Sequence, residues 1–533
     1  MPTVDARPEF GQVSDLARRQ VHRGAIVVAL FCGGMSALVA SQYQPIGDLL
    51  NESNLRALAE NPATRILSGP PVALDDPGGF TVWRTGTAAA VLASIWILLA
   101  ATRITRGEED TGRWNLLLAG RLRLVDVAAS CLVVLVGSAA LIGVAVAAGL
   151  LAAGTEVTGA LIYAAGIAGT ALTFAMAGTL AAQVMPGRSG ATGLAAAALG
   201  VALTLRMVAD GSHQLAWLAW TTPFGLTARA SPYADNSILP LIVLSAFPVT
   251  LAGAAFVAAS HRDLGAGVVT VPSHRPLRGH FLRSVEGFAL RRTAWITSGW
   301  ALGIAAYFLL VGAMLASLLE LFDTNPRFAE IAASAGTGRD DLVGAVTAAL
   351  FGVLAVPSGL YATLRLASMV SDEKAGRTAL LLAQPVSRVR LIFAEFVVTA
   401  GGVISLHCSA AVAIWVGAKT TGAPLQLDDA IVDALTFLPI ALLAAGAAAL
   451  AVGWFPASVG AIGSLPLVGG YLVNVIAQTT QAPRWIVNLS PWTHVTAGSG
   501  AAADWAATAV LLLAGMCLTA LGVLGFVRRD SVV

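Results

Sequence analysis

The sequence predicts an all-α polytopic membrane protein, built as two six-helix transmembrane domains in one chain. Three observations predict it. First, 56% of the 533 residues are hydrophobic and only 12% are charged. With a mean hydropathy of +0.76, the chain is more apolar than a soluble protein of this size could hide. Second, apolar runs of about twenty residues recur, the length a helix needs to cross a bilayer. Third, one segment occurs twice. Residues 109–119 read EDTGRWNLLLA and residues 373–383 read EKAGRTALLLA, with seven of eleven positions identical at an offset of 264.

Twelve runs qualify as spans. In the first half they lie near 24–43, 83–102, 126–151, 157–184, 190–208 and 238–260; in the second, near 295–319, 344–367, 391–418, 432–455, 457–477 and 504–527. The N-terminus is polar and shows no cleavable signal, so the first run counts as a span. The predicted domains are 1–263 and 294–533, joined by a linker at 264–293.

Orientation follows from the arginines. Arg18, Arg19 and Arg23 precede span one, and Arg103, Arg106, Arg113, Arg121 and Arg123 follow span two. Arg262, Arg275, Arg278, Arg283, Arg291 and Arg292 fill the linker. Lys374, Arg377, Arg388 and Arg390 follow span eight, and Arg528 and Arg529 end the chain. With twelve spans all of these fall on one side, which predicts cytoplasmic termini and places both copies of the segment in the cytoplasm. The acidic loops with Asp75, Asp76, Asp323, Asp340 and Asp341 fall opposite.

The repetition extends further. Arg18-Arg19 corresponds to Arg291-Arg292, Trp217 and Pro223 to Trp485 and Pro491, and Arg262-Asp263 to Arg529-Asp530. An even number of spans per half makes this a parallel repeat, with a pseudo-twofold axis along the membrane normal.

Within each copy the acid stands four residues before the base, Glu109 with Arg113 and Glu373 with Arg377, a spacing that pairs them on one helix face. Gly112 and Gly376 permit close backbone approach. Leu116, Leu117, Leu380 and Leu381 form an apolar patch in a polar loop, which calls for a covering surface. After the second copy Pro385 breaks the helix and Ser387 can cap the next. The alternative is a helix extension that packs on its own domain with a solvated ion pair.

The string E-K-A-G-R-T-A-L-L-L-A-Q-P-V-S-R, from Glu373 to Arg388, resembles the intracellular loop of type 2 ABC exporter permeases. The fused two-half chain is similar to the actinobacterial tetronasin and polyketide-antibiotic (multidrug) exporters. The resemblance implies that segments 104–124 and 368–390 couple to an ATPase, through Glu109, Gly112, Arg113, Leu116, Leu117, Glu373, Gly376, Arg377, Leu380, Leu381, Pro385, Ser387 and Arg388. It implies two copies of a separate P-loop ABC ATPase as partner, with ATP and Mg bound there and no cofactor on this chain. It also implies a bacterial cell membrane and efflux of hydrophobic, drug-like compounds. The first copy departs from the pattern: Gly120-Arg121-Leu122-Arg123 stands where the second has Gln384-Pro385-Val386-Ser387.

Other classes find little support. No G-x-x-x-x-G-K-[ST] string is present, since Glu373 and Ala418 precede the two lysines, Lys374 and Lys419. No catalytic or metal-ligating constellation is visible, so no catalytic residue and no metal ligand is assigned. Net charge is +2, which suggests no nucleic-acid partner. An ion-coupled secondary transporter of small hydrophobic molecules is the rival reading, but it calls for a carboxylate cluster near mid-bilayer that is missing. Cys32, Cys131, Cys408 and Cys517 read as buried hydrophobes, and His407 as a helix contact.

Intramembrane charges are candidates for special roles. Arg206, Glu395 and Asp433 lie within or at the ends of spans, with Arg390 the expected partner of Glu395. Arg84 and Arg365 read as snorkelling anchors. By the resemblance, spans two, five, eight and eleven border the substrate pathway between the halves, with Ser94, Trp96, Tyr361, Thr363, Tyr471 and Asn474 as lining candidates. Residues 274–292 read as an amphipathic helix lying on the cytoplasmic leaflet, and 10–19 as a shorter one.

Overall fold

The computed structural model describes residues 7–43, 69–120, 122–211, 214–269, 284–324, 342–374, 376–471, 473, 483–495 and 505–529. Asn474, Arg121, Arg275, Arg278, Arg283, Asp340, Asp341, Asp530 and residues 274–283 of the expected surface helix lie outside them. Every regular element among the described residues is helical, and eleven helices are long and apolar enough to cross a membrane. By contacts the chain divides into two units, Met1–Arg275 and Pro276–Val533.

Unit 1 runs α1 (Arg7–Ser41), α2 (Pro77–Thr102), α3 (Arg113–Leu118), α4 (Leu124–Ala152), α5 (Val157–Val184), α6 (Arg188–Gly211), α7 (Pro223–Arg229) and α8 (Leu239–Ser260). α5 is the central helix and packs on α2, α4, α6, α7 and α8. Its small residues Ala160, Ala164, Ala171, Ala175 and Ala182 are buried, because helices in lipid associate by close backbone approach rather than by hydrophobic drive.

Unit 2 runs α9 (Val285–Thr324), α10 (Leu342–Lys374), α11 (Arg377–Leu382), α12 (Arg388–Thr421), α13 (Leu427–Thr436), α14 (Leu438–Trp454), α15 (Val459–Ser464) and α16 (Trp505–Arg528). Here the alanine-rich α14 is central, packing on α10, α12, α15 and α16.

Three expectations need correction. Residues 10–19 and 285–292 are not separate surface helices. They are the first turns of α1 and α9, of 35 and 40 residues, roughly 52 and 60 Å long at 1.5 Å per residue. Each is longer than the roughly 30 Å hydrocarbon layer. The expected span 457–477 is not one long helix: its described part is a shorter apolar helix, Pro456–Gly469, whose Leu465–Gly469 turn is wound as a π-helix around Pro466. Only Cys32 and Cys131 are buried, whereas Cys408 and Cys517 are exposed on the helix surface.

The tightest helix pairs meet at glycine. On α1 and α4, a Cβ on Gly33 or Gly149 would strike the Ala145 or Gly33 carbonyl. On α9 and α12, a Cβ on Gly312 or Gly417 would strike the Ile414 or Leu309 carbonyl. Gly417→Val should therefore push α9 off α12 at a cost of about 1–3 kcal/mol, the range for overpacking. A lowered apparent Tm in detergent, read by size exclusion after heating, checks this; an unchanged Tm refutes it.

Candidate coupling site at the end of each unit

In unit 1, α2 leaves its regular course through a π-helical turn, Arg103–Gly107, and a short helical turn, Glu108–Asp110. Gly112 then takes φ +74°, and α3 begins. In unit 2, α10 ends at Lys374, Gly376 takes φ +72°, and α11 begins. Only glycine enters this left-handed region without a Cβ penalty. The turn closes alike in both, by Gly112 N–H to the Glu109 carbonyl and Gly376 N–H to the Glu373 carbonyl, each at 2.9 Å.

The turn overrides the expected pairing. Glu109 and Arg113 no longer share a helix face, nor do Glu373 and Arg377. Arg113 instead bonds Glu108 at 2.9 Å, and Arg377 bonds Asp372 at 2.6 Å. The two freed glutamates reach across to the end of the last helix of their own unit.

In unit 1 this contact is a buried clasp. Arg262, just beyond α8, meets Glu109 with both terminal nitrogens, each at 2.6 Å. The Gly265 N–H donates to the same carboxylate at 2.8 Å, and Arg106 lies 3.2 Å away. Both side chains of the Glu109–Arg262 pair are only 2% exposed. Arg106 also donates to the carbonyls of Pro186 (2.5 Å), Gly265 and Ala266 (3.0 Å each). Arg262 Nε donates to Gln183 at 2.7 Å. In unit 2, Arg529 meets Glu373 and accepts from Arg388 through its carbonyl at 2.6 Å. That pair is more open, with side chains 22% and 11% exposed.

The short helices α3 and α11 present the same pattern. Trp114 and Thr378 point inward and are buried. Leu117 and Leu381 are half-buried against their cores. Leu116 and Leu380 are 80% and 73% exposed. The second copy then turns at Pro385, and Ser387 Oγ caps α12 by accepting from Arg390 N–H at 3.2 Å. The first copy lacks both residues. There, Asp126 accepts from Arg123 N–H at 2.9 Å to start α4.

Glu395 is not paired with Arg390. It bonds Arg292 at 2.5 Å and Arg365 at 3.0 Å, while Arg390 bonds Glu286 at 2.8 Å. Arg365 is therefore no anchor. It is buried, and it also donates to Thr293 at 2.7 Å. Arg292 bridges Glu395 to Asp372, so one charge network ties α9, α10 and α12 beneath α11. Arg84 is exposed. Arg206 pairs with Asp210 at 2.5 Å and Thr87 at 2.6 Å. Asp433 accepts from Thr347 at 2.8 Å. His407 bonds the Ala434 carbonyl at 2.6 Å and Ser358 at 3.0 Å.

The described pathway candidates have the following surroundings within their own units. Ser94, Tyr361 and Thr363 are buried. The Tyr361 hydroxyl bonds Thr297 at 2.6 Å, and Thr363 donates to the Gly359 carbonyl at 2.9 Å. Trp96 lies over Gly24 of α1. Tyr471 is half-exposed, with its ring edge-on to Trp492.

Sequence reasoning missed Arg262 and Arg529 as the partners of the glutamates. The signal was available: both the E-x-x-G-R segment and the Arg-Asp pair recur at nearly the same offset.

Eleven membrane-length helices among the described residues make this a multi-pass membrane protein. Residues 282–527 match the family model for the C-terminal domain of the multidrug efflux system permease Rv1217c. The chain is 25% identical over 485 residues to the multidrug efflux system permease protein Rv1217c of Mycobacterium tuberculosis, covering 89% of this chain and 86% of that protein. These similarities support a permease of a multidrug efflux system in a bacterial membrane.

Removing Arg262 leaves a carboxylate buried without its main partner, a change that costs about 3–5 kcal/mol. Arg262→Ala should therefore destabilise the protein strongly, and Arg529→Ala much less, because water reaches the second pair. Thermal unfolding of the two variants side by side checks the order; equal losses contradict it.

Proposed function

We propose that this chain is the membrane subunit of an ATP-driven ABC exporter, powered by a separate P-loop ATPase bound in two copies. ATP and Mg sit on that partner. Hydrophobic or amphipathic compounds move outward through this chain. The carrying observation is the doubled helix–glycine–helix end. In each unit a short helix holds one leucine out to solvent while the glutamate before it is fixed to the end of the unit's last long helix. An isolated exposed leucine is ordinary. The same leucine exposed on the same short helix in both units fits a pair of docking points.

The clasp gives the docking points leverage. Force applied to α3 passes through the left-handed turn to Glu109 and from there to Arg262, at the end of α8. In unit 2 it passes through Glu373 to Arg529 at the end of α16, and through Asp372 and Arg292 to α9. A push on one short helix thus reaches helices remote in sequence without unfolding any of them. The repeated segment, the arginine asymmetry of the loops in the sequence and the similarity to an efflux permease all favour this reading.

Leu380→Asp and Leu116→Asp test it, because both side chains are exposed and neither substitution disturbs a core. Burying a leucine at an interface is worth about 1.5–3 kcal/mol. Each variant should therefore lower recovery of the ATPase by tenfold or more in affinity purification and reduce efflux of a fluorescent dye from cells. Undiminished recovery and efflux in the double variant would overturn the proposal.

A further inference from the structure

At the end of unit 1 away from the clasp, α2, α5, α6 and α7 border a small cavity of about 50 Å³. At roughly 10–15 Å³ per water, it has room for about three or four waters, or for one polar group of a larger molecule. Val82, Ala90, Phe224 and Pro232 supply apolar wall. Trp83 and Tyr163 also line it, each about 9 Å along its own helix at 1.5 Å per residue.

Two donors in this wall are unspent. Trp83 and Tyr163 are buried, and neither the indole Nε1 nor the hydroxyl has a hydrogen-bond partner among the described residues. A buried donor left unmade is costly. The Thr85 hydroxyl lies beside Tyr163 but gives its own proton to the Thr81 carbonyl at 2.8 Å. The Tyr163 hydroxyl reaches the wall at Gly86, where an added Cβ would stand 3.7 Å from it. Thr87 and Thr227 of the wall are already bonded, to Arg206 and Thr170. Arg206 is the one charged side chain in the wall, and Asp210 balances it at 2.5 Å. The unmet atoms are therefore donors in a site without net charge. That suits a neutral acceptor better than an anion, whose desolvation would go uncompensated.

The turns bordering the cavity are strained. Among the described residues, the non-glycines with positive φ are Ala73, Ser231, Tyr233 and Asn236, at 48°, 44°, 66° and 47°. Ala73 follows Val72 of the wall, and Ser231 and Tyr233 flank Pro232. Fixed contacts hold this strain: the Tyr233 hydroxyl bonds Thr155 at 2.9 Å, and the Tyr233 N–H donates to Asn236 at 2.9 Å. Strain of this kind clusters at ligand sites.

We propose that this cavity is a socket for the uncharged carbonyl group of an apolar molecule, with the Tyr163 hydroxyl and the Trp83 indole donating to its oxygen. The rest of the molecule lies outside the socket, which is too small to hold it. A free ketone or ester and the ester of a phospholipid share this chemistry. That such compounds are the exported cargo rests on the function proposed above; their binding does not.

The test uses the full chain, without an ATPase, in nanodiscs of ether-linked phosphatidylcholine, which bring no carbonyl of their own. The probes are a diazirine-bearing 2-hexadecanone and the same chain without its keto oxygen, with crosslinks mapped by mass spectrometry. The ketone should label the socket walls several-fold more than the alkane, about threefold for each hydrogen bond made in a membrane. Tyr163→Phe and Trp83→Phe each keep a ring and remove one donor, so each should lower the preference about threefold. The double variant should bring the ketone down to the alkane. Equal labelling by the two probes in the unaltered chain, or a preference that survives both single substitutions, overturns the proposal and leaves a cavity for water. Should one variant not insert, the other decides alone. Repeating the labelling in ester-linked nanodiscs separates the two sources: a weaker ketone signal there assigns a lipid ester to the socket, and an equal signal a free carbonyl compound. If dye efflux never depends on an ATPase while the labelling preference holds, the exporter reading fails and this one stands.

Discussion

Much of unit 1 depends on one buried contact, the carboxylate of Glu109 held between Arg262 and Arg106. Neither charge could be stable there alone, because burying an unpaired ion costs several kcal/mol. Together with Asp110 the two arginines and Glu109 are balanced in charge, and the guanidinium groups also donate to backbone carbonyls and to the Gln183 side chain. This satisfies the rule that buried charges must be both paired and hydrogen-bonded. It also fastens three places that are far apart in sequence: the end of α2, the turn at Pro186 and the stretch just after α8. Val268 and Val269 extend the fastening by bonding the Gln183 and Val184 carbonyls.

Unit 2 carries the same turn with different reinforcement. Its Glu373–Arg529 pair is closer to solvent, and its buried charges are set deeper, in the Arg292–Asp372–Glu395–Arg365 network. At the offset of 264, Arg106 is replaced by Val370 and Glu395 by Cys131. Each unit thus buries charge where the other buries an apolar or weakly polar side chain. The two short helices look alike from solvent but stand on different foundations.

Most of the long helices were legible in the sequence because bilayer length and hydropathy leave little choice. The exceptions have local causes. No proline interrupts Val285–Thr324, so arginines that suggested a separate surface helix lie on the first turns of a longer one. Pro466 interrupts a run, 457–477, whose average hydropathy reads as continuous. The site was legible as a place but not as a bonding pattern. Glycine at 112 and 376 was read for close approach, whereas its use is a left-handed backbone, and that conformation cancels the i,i+4 pairing. The partners of Glu109 and Glu373 lie 153 and 156 residues away, beyond any spacing argument, although their own repetition pointed to them.

The left-handed glycine also bears on how the two segments can differ. The side chains around Gly112 and Gly376 differ: tryptophan in the first stands where the second has threonine, and arginine where it has serine at the following cap. A Cβ at Gly376 would meet nothing within 4 Å, and one at Gly112 only the end of the Asn115 side chain. Crowding therefore does not oppose substitution at either position; the strain of a Cβ in the left-handed region does. A side chain at either position would add a local strain of about 1–2 kcal/mol. Side chains differ around the turn, where exchange costs little, while glycine stands at the turn in both units, where exchange costs strain.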